Sequence, residues 1–224
     1  MRTKKQILGA TLLILAFGVT VVVSQENRPP RKPGHLFPAE RVEQLEAGER
    51  DVWQRPTEIM NALNIKDGDT VADIGAGGGY FTVKLARWVG ERGTVYACDI
   101  QKKLIDHIVQ RIAKENLKNV KTILGEPADP KLPRHSIDAA LIVDVYHEVA
   151  DSVAWLRAIK AGLKPTGRVA IVDFKKGLKE GPGPPDRDRL EEDVIIAEAQ
   201  KAGLKLLRRE TSFPYQYMLI FGKE

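Results

Sequence analysis

Hydrophobic positions along the chain fall into two alternating rhythms. Short apolar runs read as strands: Thr70 to Ile74, Thr94 to Asp99, Val120 to Leu124, the run from Ile137 that exits through Glu148, and Arg168 to Phe174. Between them, apolar residues recur three or four apart, the period of a helix with one buried face. Phe81, Val83, Leu85, Ala86 and Val89 form one such stripe. Leu104, Ile105, Ile108, Val109 and Ile112 form the next, within Lys102 to Glu115. Trp155, Leu156 and Ile159 follow within Val149 to Leu163, a helix stopped by the glycine and proline turn Gly162 to Gly167. Asp186 to Ala202 carries Leu190, Val194, Ile195 and Ala199 inward. Two runs without an intervening helix, Leu204 to Glu210 and Tyr215 to Gly222, close the chain as an antiparallel pair. Crossover helices between the first five strands require a mainly parallel sheet covered on both faces. The near-continuous apolar run at Ile137 suits such a doubly covered strand.

Upstream, Pro38 to Arg50 predicts a short amphipathic helix and Thr57 to Leu63 another, with Thr57 as its cap. Asp67-Gly68-Asp69 turns the chain into the first strand. That strand ends in Asp73 and runs into the cluster Gly75-Ala76-Gly77-Gly78-Gly79-Tyr80. Glycines at a strand-to-helix turn allow positive φ and let a ligand approach the main chain. The helix that follows presents free N–H groups. The spacing is not that of a dinucleotide site, which needs glycine at its sixth position; here that position is Tyr80. The pattern is Asp-x-Gly-x-Gly-x-Gly. Asp99, at the end of the second strand, stands where a carboxylate accepts bonds from both ribose hydroxyls.

This set resembles the first motif of class I S-adenosylmethionine-dependent methyltransferases, over roughly residues 57–222. The resemblance implies an α/β fold, Rossmann-like and doubly wound, with a mostly parallel seven-stranded sheet and a C-terminal antiparallel pair. It implies S-adenosyl-L-methionine as cofactor, with its zwitterionic tail at Asp73 and the main chain of Gly75, Ala76, Gly77 and Gly79, beside Tyr80. Ile100 would lie near the adenine and Glu126 near its amine, although Pro127 departs from the small residue usual there. Asp144, Tyr146 and His147, at the exit of the fourth strand, converge where the methyl group would be presented. Asp144 belongs to both the cofactor and the catalytic set. His147 is either a general base or a residue that braces the loop or the cofactor. Trp53 and Arg55 are either lid residues or simple packing. The Lys175 to Pro185 loop, with three glycines and three prolines, either shapes acceptor access or is slack. The expected activity is in-line methyl transfer to a small-molecule acceptor. Two readings compete: a non-catalytic nucleoside-binding module of the same fold, and an NAD(P)-dependent oxidoreductase. The latter is disfavoured by Tyr80 and Asp73 and by the lack of a Tyr-x-x-x-Lys pair after the fourth strand.

Charge changes the picture only at the N-terminus. The formal net charge of +5 comes from 35 basic and 30 acidic residues, and residues 1–34 hold six of the former and one of the latter. The remainder carries 29 of each and is formally neutral, so no nucleic-acid footprint is expected. Met1 to Lys5 precedes an uncharged apolar run at residues 7–23, which would span roughly 25 Å as a helix. Residues 1–24 are therefore expected to be a signal peptide or a transmembrane anchor, which leaves the domain membrane-anchored or exported. Residues 25–38 read as a proline-rich linker, and residues 39–224 as one domain whose segment 39–63 forms a helical lid. Cys98 is the only cysteine, which excludes an internal disulfide and a cysteine-based zinc site; the histidines His35, His107, His135 and His147 show no metal-ligand spacing. His107 is expected to be exposed on its helix.

Overall fold

The computed structural model describes residues 35–46 and 49–224. The anchor or signal expected at residues 1–24, and most of the linker, lie outside the described residues. Among the described residues, no helix is long and apolar enough to cross a membrane.

Seven strands form one sheet: β1 (Thr70–Ile74), β2 (Thr94–Asp99), β3 (Val120–Leu124), β4 (Ile137–Val143), β5 (Leu163–Phe174), β6 (Leu204–Glu210) and β7 (Gln216–Lys223). Their order is β3-β2-β1-β4-β5-β7-β6. β1 to β5 are mutually parallel, and β7 runs antiparallel to both β5 and β6. This is the expected α/β fold. The helices are α1 (Arg50–Gln54), α2 (Pro56–Ala62), α3 (Tyr80–Val89), α4 (Lys102–Lys114), α5 (Ser152–Gly162) and α6 (Glu192–Lys201).

Alternation along the central strands explains the two-sided core. Ala72, Ile74, Ala140 and Ile142 point to the face covered by α5 and α6, where they meet Trp155, Leu156, Ile159, Ile195 and Ala199. Val71, Leu141 and Val143 point the other way, towards Ile59 and Met60 of α2, Leu63 at its C-terminal cap, and Leu85 and Val89 of α3. Each such fully buried Leu or Ile stabilises the fold by about 1.5–3 kcal/mol. The sheet order reverses between β2-β1 and β4, so the carboxyl ends of β1 and β4 open the crevice where ligands bind in such folds.

Several local expectations are corrected. α2 begins at Pro56, not Thr57. Pro56 needs no N–H at that position, and Arg55, with φ of 49°, makes the sharp break between α1 and α2. Thr57 therefore caps nothing. Residues 38–50 are not one amphipathic helix; a 3-10 helix over Ala39–Leu45 precedes the separate α1. Val109 is exposed rather than buried, because α4 meets the sheet along the narrower stripe Leu104, Ile105 and Ile108. α5 starts at Ser152, where Asp151 accepts from the Ala154 N–H at 3.1 Å. The glycine and proline stretch after it is already strand: β5 starts at Leu163 and slips register between its partners Ile137 and Ala139. Residues 186–202 split into a 3-10 turn at Asp186–Asp188 and α6. His107 is half-buried and pairs with Glu46 at 2.6 Å.

Candidate active site

The β1–α3 turn is tied to the end of β2. The Gly75 and Ala76 N–H groups both donate to the Cys98 carbonyl, at 2.8 and 2.9 Å. The Gly77 N–H donates to Asp99 Oδ2 at 3.0 Å, and the Gln101 N–H donates to Asp99 Oδ1 at 2.9 Å. Asp99 is thus aimed at the turn by main-chain donors while its remaining lone pairs stay open. Burial raises its pKa, against those two hydrogen bonds and one from the Ile100 main chain. Asp73 is also buried, and the Thr82 hydroxyl donates to it at 2.6 Å. Burial pushes its pKa up to about 6, with Asp99 adding to the effect and Thr82 and Arg50 opposing it.

Gly75 and Gly78 show why the turn is bare. Gly75 has φ of 74°, and a methyl group there would overlap both γ-carbons of Val145. A methyl on Gly78 would meet Glu46 Oε1 at 2.8 Å and Val42 Cγ2 at 2.9 Å. The 3-10 helix therefore roofs the turn. Glu46 anchors this roof to Arg111 at 3.0 Å and to His107, and Arg111 in turn donates to the Gly78 carbonyl at 2.8 Å. Gln101 donates to the Phe37 carbonyl at 3.0 Å. Ala76 packs its methyl with Ala97 and Ile108 and offers only its main chain to the turn.

The second half of the site lies at the ends of β4, β5 and β7. Asp144, with φ of 60°, receives Arg50 Nη2 at 2.8 Å, Gln54 Nε2 at 2.9 Å and Gln216 Nε2. Burial raises its pKa, opposed by Arg50. The Arg50 guanidinium also donates to the Leu45 carbonyl at 2.9 Å and to Gln54, and stands 4.6 Å from the Tyr80 ring centroid. The Tyr80 hydroxyl donates to Asp51; burial and that bond hold its proton on. His147 Nδ1 is 2.8 Å from Asp173 Oδ1. Burial works against a charged His147, yet the bond to Asp173, with Glu148 and Asp144 nearby, keeps its pKa above the ordinary value. Glu148 is pushed up to about 7, chiefly by burial.

Of the residues singled out in the sequence, Asp73, Gly75, Ala76, Gly77, Gly79, Tyr80, Asp99, Asp144 and His147 gather around this rim. Ile100 is at its edge, partly exposed. Glu126 is turned to solvent, 2.6 Å from Lys131, while the neighbouring Gly125 N–H donates to the Asp99 carbonyl at 2.9 Å. Tyr146 is fully buried against α5 and α6, and its hydroxyl donates to Glu198 at 2.8 Å. Trp53 sits 6.1 Å from both Phe174 and Tyr215, whereas Arg55 pairs at the surface with Glu58. Arg50, Gln54, Gln216 and the pairing of Asp173 escaped sequence reasoning. The loop after β5 is not slack: Arg189 donates to the carbonyls of Lys175, Pro182 and Pro184. Two cavities of about 160 and 350 Å³ lie beside Thr166 and Arg168, at the opposite end of the sheet. None of the rim carboxylates lines them, so they do not mark the chemistry.

A family model described as a methyltransferase domain matches residues 65–207, well over half of the chain. The chain belongs to the class I S-adenosylmethionine-dependent methyltransferases. A crystal structure of an S-adenosylmethionine-dependent methyltransferase from Aquifex aeolicus superposes with a TM-score of 0.79 at 26% identity, over 83% of this chain and 98% of that one. The ubiquinone/menaquinone biosynthesis C-methyltransferase of Pasteurella multocida is 29% identical over 140 residues, 60% of this chain and 50% of that protein. A demethylmenaquinone methyltransferase of a Geobacillus species is 28% identical over 121 residues, 54% of this chain and 51% of that protein. This methyltransferase spans about half the length of the curated relatives it matches.

The residues present fit the cofactor this family uses. S-adenosylmethionine carries a cationic sulfonium, an ammonium, a carboxylate and two ribose hydroxyls. A turn that a single β-carbon would fill, flanked by two buried carboxylates with free lone pairs, meets the cationic and hydroxyl groups. The acids Asp73, Asp99, Asp144 and Asp173 outnumber the cationic groups Arg50 and His147 that the electrostatics bring against them. A site so biased towards negative charge favours a cationic guest.

Proposed function

We propose that this methyltransferase transfers a methyl group to a small, planar, quinol-type acceptor at the crevice between β1 and β4. The observation that carries the reading is the pair Asp73 and Asp99, one on either side of the bare turn at Gly75 to Gly79. In this reading Asp99 accepts from the ribose hydroxyls, Ile100 borders the adenine, and Asp73 takes the ammonium end of the methionine tail. Bound there, S-adenosylmethionine supplies an electrophilic methyl on a positively charged sulfur. The protein's contribution is positioning: α1 closes over the Asp144 end, and half-buried Trp53 and Tyr215 offer aromatic surface beside it. The quinone-directed relatives support a carbon acceptor on a hydroxylated ring. The apolar run at residues 7–23 would hold the domain against a membrane, where prenylated quinols reside.

The test is transfer of label from methyl-tritiated S-adenosylmethionine to a short-chain prenyl-1,4-naphthoquinol lacking the ring methyl. Label in the quinol is expected with the full-length chain and is expected to fall in Asp99→Ala, whose cofactor affinity should drop roughly 10- to 100-fold, about 1.5–3 kcal/mol for a hydrogen bond to a charged group. Normal cofactor binding with no label in the quinol would remove this acceptor class.

Asp73 gives a pH prediction. A carboxyl whose folded pKa is raised to about 6 costs stability as pH rises from the ordinary carboxylate range, near 4, to that value. The ionised form is then held at a penalty of about 3 kcal/mol. A ligand ammonium at Asp73 relieves it, so affinity for S-adenosylmethionine should tighten at least several-fold between pH 5 and 7.5. Calorimetry should show the trend flattened in Asp73→Asn; an equal trend in that variant would move the ammonium elsewhere.

A further inference from the structure

Asp173 ends β5 fully buried, yet it has no lysine or arginine partner among the described residues. Its carboxylate is filled by three donors from its immediate surroundings. The Phe174 N–H donates to Oδ1 at 2.8 Å, the His147 N–H donates to Oδ2 at 3.1 Å, and His147 Nδ1 lies 2.8 Å from Oδ1 and 3.1 Å from Oδ2. An ionised carboxylate only accepts. Nδ1 must therefore carry a ring proton, and in the neutral ring Nε2 keeps its lone pair. Among the described residues no hydrogen bond is made to Nε2, and the His147 side chain is 8% exposed. It belongs to the turn Tyr146–Glu148, which follows Asp144 after one residue.

We propose that His147 Nε2 receives the proton released during methyl transfer and that Asp173 is the residue that positions it, so the acceptor carries a removable proton on its nucleophilic atom or on a hydroxyl conjugated to it. This rests on the methyl-transfer reading above. The balance is simple. The acceptor's electron pair forms the bond to the methyl carbon, and the carbon–sulfur pair goes to sulfur. The acceptor's proton goes to Nε2. The imidazolium so formed lies against Asp173, and it returns the proton to water. For a ring-carbon acceptor, the hydroxyl proton leaves first to Nε2 and its electrons pass through the ring to carbon; the proton on that carbon is then lost to water while the oxygen regains one from the imidazolium, so one proton is released overall.

The groups facing His147 from the packed elements are Asp173 from β5, Asp144 from the β4 exit and Glu148 from its own turn. All three are acids, and all favour the imidazolium. A cationic sulfonium bound at the rim opposes them and returns the ring towards its neutral, proton-accepting form. Asp173 also ties down the main chain of residues 147 and 174, one N–H on each carboxylate oxygen. In Asp173→Asn the amide oxygen, in the place of Oδ1, keeps the bond from the Phe174 N–H, while the NH₂ gives up the bond from the His147 N–H. That NH₂ donates to Nδ1 and forces the proton onto Nε2, the wrong tautomer for a base.

The experiment uses the full-length chain with ring-¹⁵N histidine, saturated with S-adenosylhomocysteine, and needs no acceptor. The wild type should show His147 as the Nδ1–H tautomer, titrating above Asp173→Asn, in which the tautomer should reverse. With the naphthoquinol as acceptor, Asp173→Asn should lose at least about 100-fold in kcat. KM for S-adenosylmethionine should change less than about threefold. His147→Gln should lose the rising limb of kcat with pH. A wild-type ring protonated on Nε2, a titration unmoved by Asp173→Asn, or a reversed tautomer with kcat intact would each overturn the dyad. A wild type that never methylates the naphthoquinol sinks the acceptor class alone, and the tautomer measurement still decides the dyad.

Discussion

Gly75→Ala should cost this protein its cofactor site and much of its thermal margin. Two effects add. Left-handed backbone costs an alanine about 1–2 kcal/mol, and Gly75 sits at φ of 74°. The new methyl would also lie 2.8 Å from Val145 Cγ1, closer still to Cγ2, and 3.0 Å from Val145 Cβ. A β-branched side chain is stiff about χ1, so Val145 cannot swing aside. The strain passes to the main chain between Asp144 and His147. Overpacking of this kind costs about 1–3 kcal/mol. Together the terms predict a melting temperature lower by roughly 10 °C, at about 2–4 °C per kcal/mol for a chain of this size. Affinity for S-adenosylmethionine should fall at least about tenfold, because the same turn orients Asp99 through the Gly77 N–H and keeps side chains out of the approach to it. Val145→Ala in the same chain removes both γ-carbons but leaves the φ penalty, so the double variant should recover part of the loss and no more. Scanning fluorimetry and calorimetry on the four proteins of this cycle decide the matter. A Gly75→Ala protein that melts and binds like the wild type would mean the turn is not the cofactor cradle.

Asp73 and Asp99 were legible in the sequence because strand ends in this fold lie a fixed distance apart along the chain, and short-range pattern reaches that far. The central strands were legible for a related reason. Strands covered on both faces, such as Ile137–Val143, carry apolar residues at nearly every position, and nothing else of that length does. Val109 was misplaced because a stripe read from spacing alone does not reveal how wide the contact with the sheet is. Thr57 was misread as a cap because Pro56 already starts the helix without needing one. A helical lid over residues 39–63 was expected, but the contacts that latch it were invisible. Arg50 meets Asp144 across 94 positions, and Gln54 meets Gln216 across 162. Neither pair leaves a local signal, since glutamine at a helix end looks solvated until the tertiary fold buries it. Tyr146 shows the reverse limit: its place beside His147 in sequence suggested a shared site, but a 3-10 turn sends neighbouring side chains in different directions, and its ring goes to the core.

That latch carries the other large prediction. Asp144 is a buried carboxylate with one cation, Arg50, and two amides, from Gln54 and Gln216. Its folded pKa is already raised by burial, and Arg50 is what restrains the rise. In Arg50→Met the counter-charge disappears and the folded pKa climbs further. A carboxyl with a raised folded pKa destabilises the protein once the unfolded state can ionise and the folded one resists, so the penalty grows above about pH 4 and is absent below it. Breaking one partner from a buried pair costs about 3–5 kcal/mol where both charges stay sealed. Here α1 can lift away and hydrate Asp144, so the loss is capped by what docks α1: Trp53 on Phe174 and Tyr215, and the Asp51 bond to Tyr80. The expected result is therefore a loss near the lower end of that range, about 3 kcal/mol, at pH 7.5. It should fall to about 1 kcal/mol at pH 4.5, where only the bonds to Leu45 and Gln54 are missed. Hydrogen exchange should rise in residues 39–55 first. Arg50→Lys should fall between, since an ammonium cannot span Asp144, the Leu45 carbonyl and Gln54 from one plane. The double variant Arg50→Met with Asp144→Asn removes the orphaned charge and should recover at least half of the loss at pH 7.5. Equal losses at the two pH values, with no recovery in the double variant, would show that Arg50 holds α1 by packing on Tyr80 and not by neutralising Asp144.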